Sequence, residues 1–455
     1  MSAYKYFNKE FRQKSLIKTY QKHIEESTAV GIDKIGREKF KEEYLDNIRI
    51  INKKVNNDTY NFSPYRKKLI SKGEGKYPRA ISIPTFRDRV TLRALCNVLS
   101  ITFKDDLHLE IPQAKLASIN LNIKNNEYDS YLKIDVSNFY PTVNHDILIK
   151  TLRKRIRKVQ FINLIDKAIK NITVNKSKKE KIKSNSCGVP QGLSISNVLA
   201  EIYLLGIDKK YNKYSSIFYT RYVDDILIFC KSYEVEDIFY NIKDDFESIF
   251  LEIHELNKVD SKCQSGYINN EIHFLGYSYI NRKATLIPNN KDRFQDSIAN
   301  LLTTFKYRYN SNKDKKSRDN SVKVLEWRLN LRITGCIFNN NKRGWMFYFS
   351  QIEDLTALYT IDATIAKLVA RFCPVKIKVK SLVKTYHETK RLNTSSHKYI
   401  TNFDTLTTKD KREILEKYLG FDRLSRADDK TIEKYFNMKI THIIQDLEQD
   451  IGNVS

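Results

Sequence analysis

Cysteine, glycine and proline are scarce in this sequence, and histidine forms no metal motif. The scattered cysteines include no close pair, so neither a disulfide framework nor a zinc knuckle is expected, and a reducing compartment suits them. They are Cys96, Cys187, Cys230, Cys263, Cys336 and Cys373. None of the eight histidines has the spacing of a metal-ligand motif such as HExxH. The sequence therefore does not predict a structural metal site.

Long apolar segments are also lacking. No apolar run approaches the roughly 18–20 residues that span a bilayer. Residues 1–14 are mixed polar and charged, without the apolar core of a signal peptide. We therefore expect a cytoplasmic protein with no membrane partner.

Acidic residues are too few to balance the basic ones. The 455-residue chain has 80 lysines and arginines against 54 acidic residues, a net charge of +26. The segment Lys150–Lys183 alone holds 13 basic residues against two acids. Such an excess predicts a polyanionic partner, because each neutralised phosphate releases a counterion and adds binding free energy. Nucleic acid is the expected partner, and 41% apolar residues predict packed domains.

The few glycines and prolines, 13 and 8, mark turns where they cluster. Around one cluster, the alternating pattern of Lys67–Pro84 predicts a β-hairpin. The apolar face of Arg87–Leu99 predicts the helix that follows it. A second amphipathic helix is predicted from Ile195 to a stop at Gly206.

The pair Asp224–Asp225 is the first candidate for chemistry. Adjacent aspartates occur four times in the chain, but only this pair lies between two apolar, β-rich runs, Ile217–Tyr222 and Ile226–Cys230. Two carboxylates at the tip of an otherwise buried hairpin are unfavourable unless a cation compensates them. We therefore predict a cation site at this hairpin, and the alternative is a structural accident of the turn.

Asp135 is the second candidate. It follows the apolar strand predicted at Tyr131–Ile134, and the alternative role at this position is a helix N-cap. Asp135 and Asp224 are 224 − 135 = 89 residues apart, so only the fold could join them. Magnesium prefers carboxylate oxygens, and two Mg²⁺ ions roughly 3.5–4 Å apart suit phosphoryl transfer to a nucleotide.

Four short motifs occur in the order found in reverse transcriptases. They are KIDVSNFYPTV (Lys133–Val143), GVPQGLSISN (Gly188–Asn197), YVDD (Tyr222–Asp225) and FLGY (Phe274–Tyr277). The upstream segment Asn57–Leu95, which includes IPTFRDR, is similar to the fingers region of the same enzymes. Over about Gly31–Tyr277, the sequence resembles a bacterial reverse transcriptase of the group II intron and retron branch.

The resemblance implies an α+β fold: a right-hand polymerase with palm and fingers, a helical thumb and a small, mainly helical C-terminal region. The expected parts are an N-terminal helical extension at 1–55, fingers and palm at 56–284, the thumb at 285–373 and the C-terminal region at 374–455. Beyond Ile287 the patterns predict helices, with one strand near Val375–Val379.

By resemblance, Asp135 and Asp224 ligate two Mg²⁺ ions, and Asp225 ligates or supports them. Tyr140 matches the aromatic residue beneath the sugar of the incoming nucleotide. A ring there would clash with a 2′-hydroxyl and favour dNTPs, and the alternative for Tyr140 is a core aromatic. Gln191 and Gly192 match the loop that approaches the nucleotide and the primer end, where glycine permits close backbone contact.

In the fingers hairpin, Lys72 and Arg79 are the residues that the resemblance assigns to the triphosphate, with Lys76 as a competing lysine. The family's usual arginine–proline order is reversed here. The alternative for each lysine is a solvated hairpin charge. The lysine usually found ahead of FLGY is either Lys258 or Lys262.

The implied reaction is DNA synthesis from dNTPs on an RNA template. The implied partners are a template or structured noncoding RNA and the DNA product. The expected assembly includes either a second reverse transcriptase subunit or a homo-oligomer. The segment Asn339–Leu368 looks like the defence-associated bacterial enzymes, which implies a role in antiviral defence.

Several alternatives stay open at this point. A retron-type enzyme would copy its own RNA. An RNA-directed RNA polymerase would prefer rNTPs, although the PQG loop and Tyr140 argue against it. A non-catalytic RNA-binding protein would keep its function after Asp224→Asn. Template-independent or protein-primed DNA synthesis is a further variant, because any exposed tyrosine among 28 could act as the primer.

Overall fold

The computed structural model describes residues 2–71, 77–107, 110–175, 185–259, 261–391, 399–421, 424 and 427–452. These residues form a mixture of helices and strands, as the α+β prediction requires. They group into two compact units: unit 1 is Met1–Leu109 with Ser130–Gly266, and unit 2 is Glu110–Asp129 with Tyr267–Ser455. The finer boundaries after residues 55, 284 and 373 stay a prediction. Across the described ranges, no helix combines the length and the apolar character needed to cross a bilayer.

Most helices carry an apolar stripe that packs towards a core. In chain order they are α1 (Ala3–Glu10), α2 (Gln13–His23), α3 (Arg37–Asn56), α4 (Phe86–Thr102), α5 (Pro112–Asn122), α6 (Phe139–Thr142), α7 (His145–Arg153), α8 (Val159–Lys170), α9 (Ser196–Tyr211), α10 (Val235–Ser248), α11 (Pro288–Ser311), α12 (Lys315–Thr334), α13 (Trp345–Tyr348), α14 (Thr356–Phe372), α15 (Leu382–Thr389), α16 (Thr408–Tyr418) and α17 (Asp429–Gln449).

The strands are short, from two to eight residues. In chain order they are β1 (Tyr65–Ile70), β2 (Arg79–Ile83), β3 (Ser130–Ser137), β4 (Thr173–Val174), β5 (Phe218–Tyr222), β6 (Asp225–Cys230), β7 (Glu252–Ile253), β8 (Gln264–Tyr267), β9 (Ile272–Phe274), β10 (Tyr277–Ile280), β11 (Lys283–Leu286), β12 (Cys336–Phe338), β13 (Asn341–Arg343) and β14 (Thr401–Asn402).

A central sheet organises unit 1. Its order is β5–β6–β3–β7, and β8 also pairs with β3. On one face, Leu132 and Ile134 of β3 and Ile226 and Ile228 of β6 are fully buried in the apolar core that also contains residues of α9 and α10. Side chains alternate between the faces of a strand. Asp135, which follows Ile134, therefore lies on the opposite face.

The hairpin predicted over Lys67–Pro84 is confirmed. β1 and β2 are antiparallel, with Arg66 opposite Ile83 and Ile70 opposite Arg79, and the short β4 pairs with β1. The turn between the strands, residues 72–76, lies outside the described residues. Lys72 and Lys76 are therefore not placed by the structure.

The IPTFRDR segment begins α4, the helix predicted there, and is built into the core of unit 1. Asp88 is fully buried, and its carboxylate accepts hydrogen bonds from the Tyr60 and Thr85 hydroxyls, both at 2.8 Å. Arg89 is also buried and donates to Ser27 Oγ at 2.7 Å. Because buried charges require such partners, these motif residues hold neighbouring segments together.

The prediction that the helix from Ile195 stops at Gly206 is wrong. Helix α9 continues to Tyr211, because Ile207 and Tyr211 extend its buried face past the glycine. A Cβ on Gly206 would meet nothing within 4 Å, so no close approach requires a glycine there. The apolar face outweighs the helix penalty of one glycine, which is about 1 kcal/mol.

Unit 2 is mainly helical, with two small sheets of order β11–β10–β9 and β13–β12–β14. Helix α11 packs against both α12 and α14, and α16 packs against α17. A separate apolar core joins α12, α16 and α17 to the β12 strand through Leu331, Phe338, Leu415 and Phe436.

The strand predicted near Val375–Val379 is wrong, since this described segment belongs to no sheet. Its backbone pairs instead with side chains of α12. Lys378 N donates to Glu326 Oε2 at 3.2 Å, and Asn330 Nδ2 donates to Lys378 O at 2.8 Å. The valine-rich pattern indicated an extended segment, but helix side chains satisfy its polar groups in place of a neighbouring strand.

Candidate active site

The carboxylate hairpin, formed by β5, β6 and the loop Val223–Asp224, presents the aspartate pair. Tyr222 and Asp225 are Cα partners, so only two residues form the loop. Val223 has a φ of 58°, in the left-handed region that a β-branched residue rarely adopts. Backbone strain of this kind costs about 1–3 kcal/mol and is concentrated at functional sites.

Asp135 lies directly opposite Asp225 on the neighbouring strand, which puts their Cα atoms about 4.5–5.5 Å apart. Val136 N donates to Asp224 O at 3.3 Å, so β3 also contacts the tip of the carboxylate hairpin. Asp135 is inside β3, not before a helix, and the N-cap alternative is therefore excluded. The fold brings the three predicted aspartates together.

Burial makes the negative charges of Asp224 and Asp225 unfavourable unless a cation compensates them. Burial and the neighbouring Asp135 raise the pKa of Asp224, although Lys262 and Arg79 oppose the rise. Burial raises the pKa of Asp225 to about 6, and the charge of Asp224 adds to this rise. A carboxyl with a raised pKa is less stable in its ionised form than in water. The cluster therefore favours a bound cation.

Polar contacts fix both the side chain and the backbone of Asp135. Lys262 Nζ is 3.0 Å and His254 Nε2 is 3.4 Å from Asp135 Oδ2. The buried Cys263 Sγ accepts a hydrogen bond from Asp135 N at 3.3 Å. Of the two lysines considered ahead of FLGY, Lys262 is therefore the one that the structure places against a candidate metal ligand.

The residues present fit a hard divalent cation. All three aspartates offer carboxylate oxygens, which Mg²⁺ prefers, and Mg²⁺ sites in proteins often use one or two carboxylates plus water and substrate phosphates. Lys262 already supplies a compensating positive charge to Asp135. Within the described residues, no group of three or more His, Cys, Asp and Glu side chains could hold a metal ion by itself. Water and substrate phosphates would therefore have to complete the coordination.

A buried arginine, which the sequence did not single out, supports the carboxylate hairpin. Arg221 is 5% exposed and donates to Asp208 Oδ1 through Nε at 2.8 Å and to Glu201 Oε2 through Nη2 at 2.7 Å. Its Nη1 donates to Val223 O at 2.7 Å. The arginine thus joins α9 to the strained residue next to Asp224.

The signal for this network was present in the sequence. Arg221 is a lone charge in the apolar run Ile217–Tyr222. Glu201 and Asp208 are seven residues apart, which places them on one face of α9. Charged residues in apolar patterns are rarely buried without a partner, so the three charges indicate a buried ion-pair cluster.

Tyr140 lies near Asp224 and is hydrogen-bonded to two residues of the GVPQGLSISN motif. Its hydroxyl donates to Asn197 Oδ1 at 3.0 Å, and its carbonyl accepts from Val189 N at 2.8 Å. Burial raises the pKa of Tyr140, and the charge of Asp224 adds to the rise. Phe139 is 2% exposed and serves as the core aromatic, whereas Tyr140 is only half-buried. This geometry agrees with the nucleotide-facing role, which stays a prediction.

The loop of Gln191 and Gly192 packs against β2. Ser82 N donates to Gln191 O at 2.7 Å. Gly192 has a φ of 97°, and a Cβ there would lie 2.6 Å from Ile81 Cγ2. Both the backbone conformation and the close approach to β2 therefore require a glycine. Contact of this loop with a nucleotide stays a prediction.

Arg79 begins β2 and is exposed. Its charge lowers the pKa of both Asp224 and Tyr140 against the opposing effect of burial. The structure thus supports Arg79 as a residue near the proposed nucleotide position. Lys72, its predicted companion, lies outside the described residues.

We expect Gly192→Ala to destabilise the protein by about 1–3 kcal/mol, because the new Cβ must displace Ile81 and alanine is strained at this φ. Gly206→Ala is the matched control. It makes the same change in helix α9, where the space is open, and should stabilise by about 0.5–1 kcal/mol. Chemical denaturation of the full chain measures both effects. Stabilisation by Gly192→Ala would contradict the packing described.

The other aspartate pairs have structural partners. Asp106 is 2.5 Å from Lys209 Nζ, and Asp245 is 2.6 Å from Lys210 Nζ. Asp428 accepts from Thr431 N and caps α17. These contacts set Asp224–Asp225 apart from the other three pairs.

The central sheet and both loops lie in a segment that matches a known family. Residues 70–279 match the family model described as reverse transcriptase (RNA-dependent DNA polymerase). The chain carries a reverse transcriptase domain. This domain is that of an RNA-directed DNA polymerase, as the resemblance implied. It contains Arg79, Tyr140, the Gln191–Gly192 loop and the three aspartates.

The chain aligns with proteins of bacteria and yeast. Protein YkfC of Escherichia coli (strain K12) is 23% identical over 324 residues, covering 60% of this chain and 84% of YkfC. The group II intron-encoded protein LtrA of Lactococcus lactis subsp. cremoris is 28% identical over 171 residues, covering 36% of this chain and 28% of LtrA. The COX1/OXI3 intron 2 protein of Saccharomyces cerevisiae is 27% identical over 190 residues, covering 39% of this chain and 22% of that protein. The chain therefore spans less than a third of the last two relatives.

Two solved telomerase structures also align with the chain. Apo telomerase of Candida tropicalis, truncated of its C-terminal domain, has a TM-score of 0.40 at 15% identity and covers 50% of this chain and 55% of that chain. Telomerase of Candida albicans in complex with a fragment of telomeric RNA has a TM-score of 0.39 at 13% identity. The alignment covers 88% of this chain and 69% of that chain. Similarity at this level supports no conclusion about the activity of the present chain.

Proposed function

We propose that this protein is an RNA-directed DNA polymerase that adds dNTPs to a 3′-hydroxyl. The primer oxygen forms a bond to the α-phosphorus of the dNTP, the bond from that phosphorus to the bridging oxygen breaks, and pyrophosphate leaves. The observation that supports this reaction most strongly is the placement of Asp135 opposite Asp225, with Asp224 at the adjoining hairpin tip.

Asp135 and Asp224 would hold two Mg²⁺ ions, with Asp225 supporting them. Bound Mg²⁺ would activate the 3′-hydroxyl and neutralise charge on the leaving oxygens. The protein's contribution is to keep these carboxylates rigid. Strand pairing holds Asp135, and the bond from Arg221 to Val223 O holds the loop of Asp224.

Tyr140 would select the sugar of the incoming nucleotide. Its hydrogen bond to Asn197 orients the ring, and its proximity to Asp224 supports a position near the reacting phosphate. A 2′-hydroxyl approaching the ring would meet it sterically. Arg79 and the Gln191–Gly192 loop would flank the same nucleotide, because both adjoin β2.

We expect Tyr140→Ala to raise rNTP use relative to dNTP use by about 10–200-fold, since a hole replaces the ring that meets the 2′-hydroxyl. The measurement is the ratio of kcat/KM for matched dNTP and rNTP pairs. Tyr140→Phe is the control: it keeps the ring and loses only the bond to Asn197, so it should keep the dNTP preference. Unchanged selectivity in Tyr140→Ala would assign sugar selection to another residue.

The direct test of the reaction is dNTP incorporation by the purified full chain, both with its co-purified nucleic acid and with an added primer on an RNA template. Mg²⁺-dependent synthesis that ribonuclease abolishes would support the proposal. Preference for rNTPs would identify an RNA polymerase. Ribonuclease-resistant synthesis, or DNA covalently attached to the protein, would identify untemplated or protein-primed synthesis. No incorporation under any condition would favour a non-catalytic RNA-binding protein.

We also propose a right-hand arrangement of palm, fingers and thumb, and a cytoplasmic role in antiviral defence with a structured noncoding RNA. In this proposal the chain assembles either with a second reverse transcriptase subunit or with a second copy of itself. The resemblance of Asn339–Leu368 to defence-associated enzymes supports it. The test compares phage plating on cells that carry the wild-type chain or Asp224→Asn. Equal plating would contradict the defence role, and a branched RNA–DNA product would identify a retron-type enzyme.

A further inference from the structure

A basic cleft lies on the helices that cover the central sheet of unit 1. Five basic side chains line a cavity of about 530 Å³: Lys150, Lys154, Arg155, Lys209 and Lys210. Lys213 lines an adjoining hollow together with Lys209 and Lys210. Two acids, Asp106 and Asp245, line the same cavity, so the basic cleft keeps an excess of positive charge.

The acids of the basic cleft orient its cations. The side chain of Asp106 is only 8% exposed and lies 2.6 Å from Arg155 Nη2 and 2.5 Å from Lys209 Nζ. Asp245 is 2.6 Å from Lys210 Nζ. Arg155 and Lys209 are each about half exposed, so their remaining donors face solvent. Cations held in place in this way lose less side-chain entropy when an anion binds.

Three of the lysines already named contribute unneutralised charge. Lys150, Lys154 and Lys213 are exposed, and the described residues provide no ion pair to any of them. Lys150 also lines a second hollow, of about 420 Å³, with Arg153 and Lys170. Asp146 and Asp166 lie in this second hollow as well, so its charge is more nearly balanced.

The basic surface thus runs through the cavity and both adjoining hollows, one of which shares Lys150 with the cavity and the other Lys209 and Lys210. A single small anion would occupy only part of it. A polymer with regularly spaced phosphates could contact lysines along the whole surface and release a counterion at each contact. The shape and charge therefore suit a nucleic-acid backbone better than a free nucleotide.

The basic cleft is separate from the proposed nucleotide site. Lys209 follows Asn197 by 209 − 197 = 12 residues on α9, which is about 18 Å along the helix axis. Asn197 accepts the hydrogen bond of Tyr140, so the N-terminal end of α9 adjoins the proposed nucleotide site and its C-terminal end adjoins the basic cleft. The aspartates also lie on the face of β3 opposite to the one that packs against the helical core.

We propose that the basic cleft binds the phosphate backbone of a base-paired RNA segment outside the nucleotide site. RNA is the occupant because the domain belongs to an RNA-dependent DNA polymerase family, and its template must continue beyond the short stretch that pairs with the product. The rigid phosphate rows of an RNA helix match cations that Asp106 and Asp245 hold in fixed positions. The cleft would anchor the RNA without taking part in the reaction.

The test is the variant Lys150→Gln/Lys154→Gln/Lys213→Gln in the full chain. These lysines make no described ion pair, so the fold should tolerate their loss. A 3′-blocked RNA hairpin of about 20 base pairs should bind about 10–30-fold more weakly, and the slope of log K against log salt should fall by about 2–3. Primer extension on a short primer–template should stay within about two-fold of the wild type, since none of the three lines the proposed nucleotide site.

The matched control is Lys39→Gln/Lys53→Gln/Lys54→Gln, which removes the same charge from exposed lysines of α3. It should weaken RNA binding by less than about three-fold, because only long-range charge is lost. The inference is overturned if the cleft variant binds the RNA hairpin like the wild type, or if the α3 control loses as much affinity. The assignment to RNA is also overturned if the cleft variant loses affinity only for a DNA hairpin of equal sequence and not for the RNA hairpin. The binding readout needs no DNA synthesis, so it stands or fails independently of the proposed reaction.

Discussion

Asp224→Asn is expected to lower Mg²⁺-dependent dNTP incorporation by at least about 1000-fold, equivalent to about 4 kcal/mol of transition-state stabilisation. The amide keeps the shape of the side chain but removes the negative charge that would hold a cation next to Asp135 and Asp225. The adjacent Asp225 belongs to β6 and pairs with Asp135, so it is not free to move into the position of Asp224. Primer extension at saturating Mg²⁺ measures the effect.

The same substitution has an opposite expected effect on stability. Burial and Asp135 raise the pKa of Asp224, so at neutral pH its ionised form destabilises the metal-free fold. The metal-free Asp224→Asn protein should therefore melt at a higher temperature than the wild type. Added Mg²⁺ should raise the melting temperature of the wild type more than that of the variant, because a ligand stabilises only the state that binds it.

Asp244→Asn is the matched control for both measurements. Asp244 also belongs to an aspartate pair, but it lies exposed on α10. It should retain wild-type incorporation and the wild-type response to Mg²⁺. Full activity in Asp224→Asn would remove the carboxylate hairpin from the mechanism. An equal loss in Asp244→Asn would show that the assay reports general damage to the protein.

Arg221→Met is expected to destabilise the protein by about 3–5 kcal/mol, the usual effect of removing one partner from a buried ion-pair network. It would leave Glu201 and Asp208 without their shared cation and Val223 O without its donor. Chemical denaturation at neutral pH measures the loss. Arg49→Met is the control: Arg49 pairs with Asp46 on the surface, and its loss should change stability by about 1 kcal/mol or less.

The variant Arg221→Lys separates the contribution of the positive charge of Arg221 from that of its hydrogen-bond geometry. A lysine keeps the positive charge but cannot bond to Asp208, Glu201 and Val223 O together with the planar fork of arginine. We expect partial recovery of stability, with kcat still lowered and the KM for dNTP little changed, because the lysine leaves the loop of Asp224 less well positioned. Wild-type kcat in a folded Arg221→Lys protein would limit Arg221 to a structural role.

Local patterns in the sequence predicted the elements of the site well. The two apolar runs around Asp224–Asp225 predicted strands that the structure confirms as β5 and β6. The alternation of Lys67–Pro84 predicted the β1–β2 hairpin. These predictions succeeded because side-chain alternation and turn residues act over only a few positions.

Predictions failed where a distant partner decided the outcome. The glycine predicted a helix end at Gly206, but α9 continues past it because Ile207 and Tyr211 are buried in the core. Side chains of α12 satisfy the backbone near Lys378, so the extended segment joins no sheet. A window of a few residues contains no information about such partners.

The sequence by itself determined which residue types are available for chemistry: an aspartate pair at a hairpin tip, a third aspartate after an apolar strand, and a large excess of basic residues. Its ordered motifs also predicted the match of residues 70–279 to the reverse transcriptase family model. Only the tertiary structure decided that Asp135 faces Asp225, that Arg221 holds the residue before Asp224, and that Gly192 lies against Ile81. The physical reason is that periodicity specifies which face of an element is apolar, whereas strand register and packing specify which distant residue that face meets.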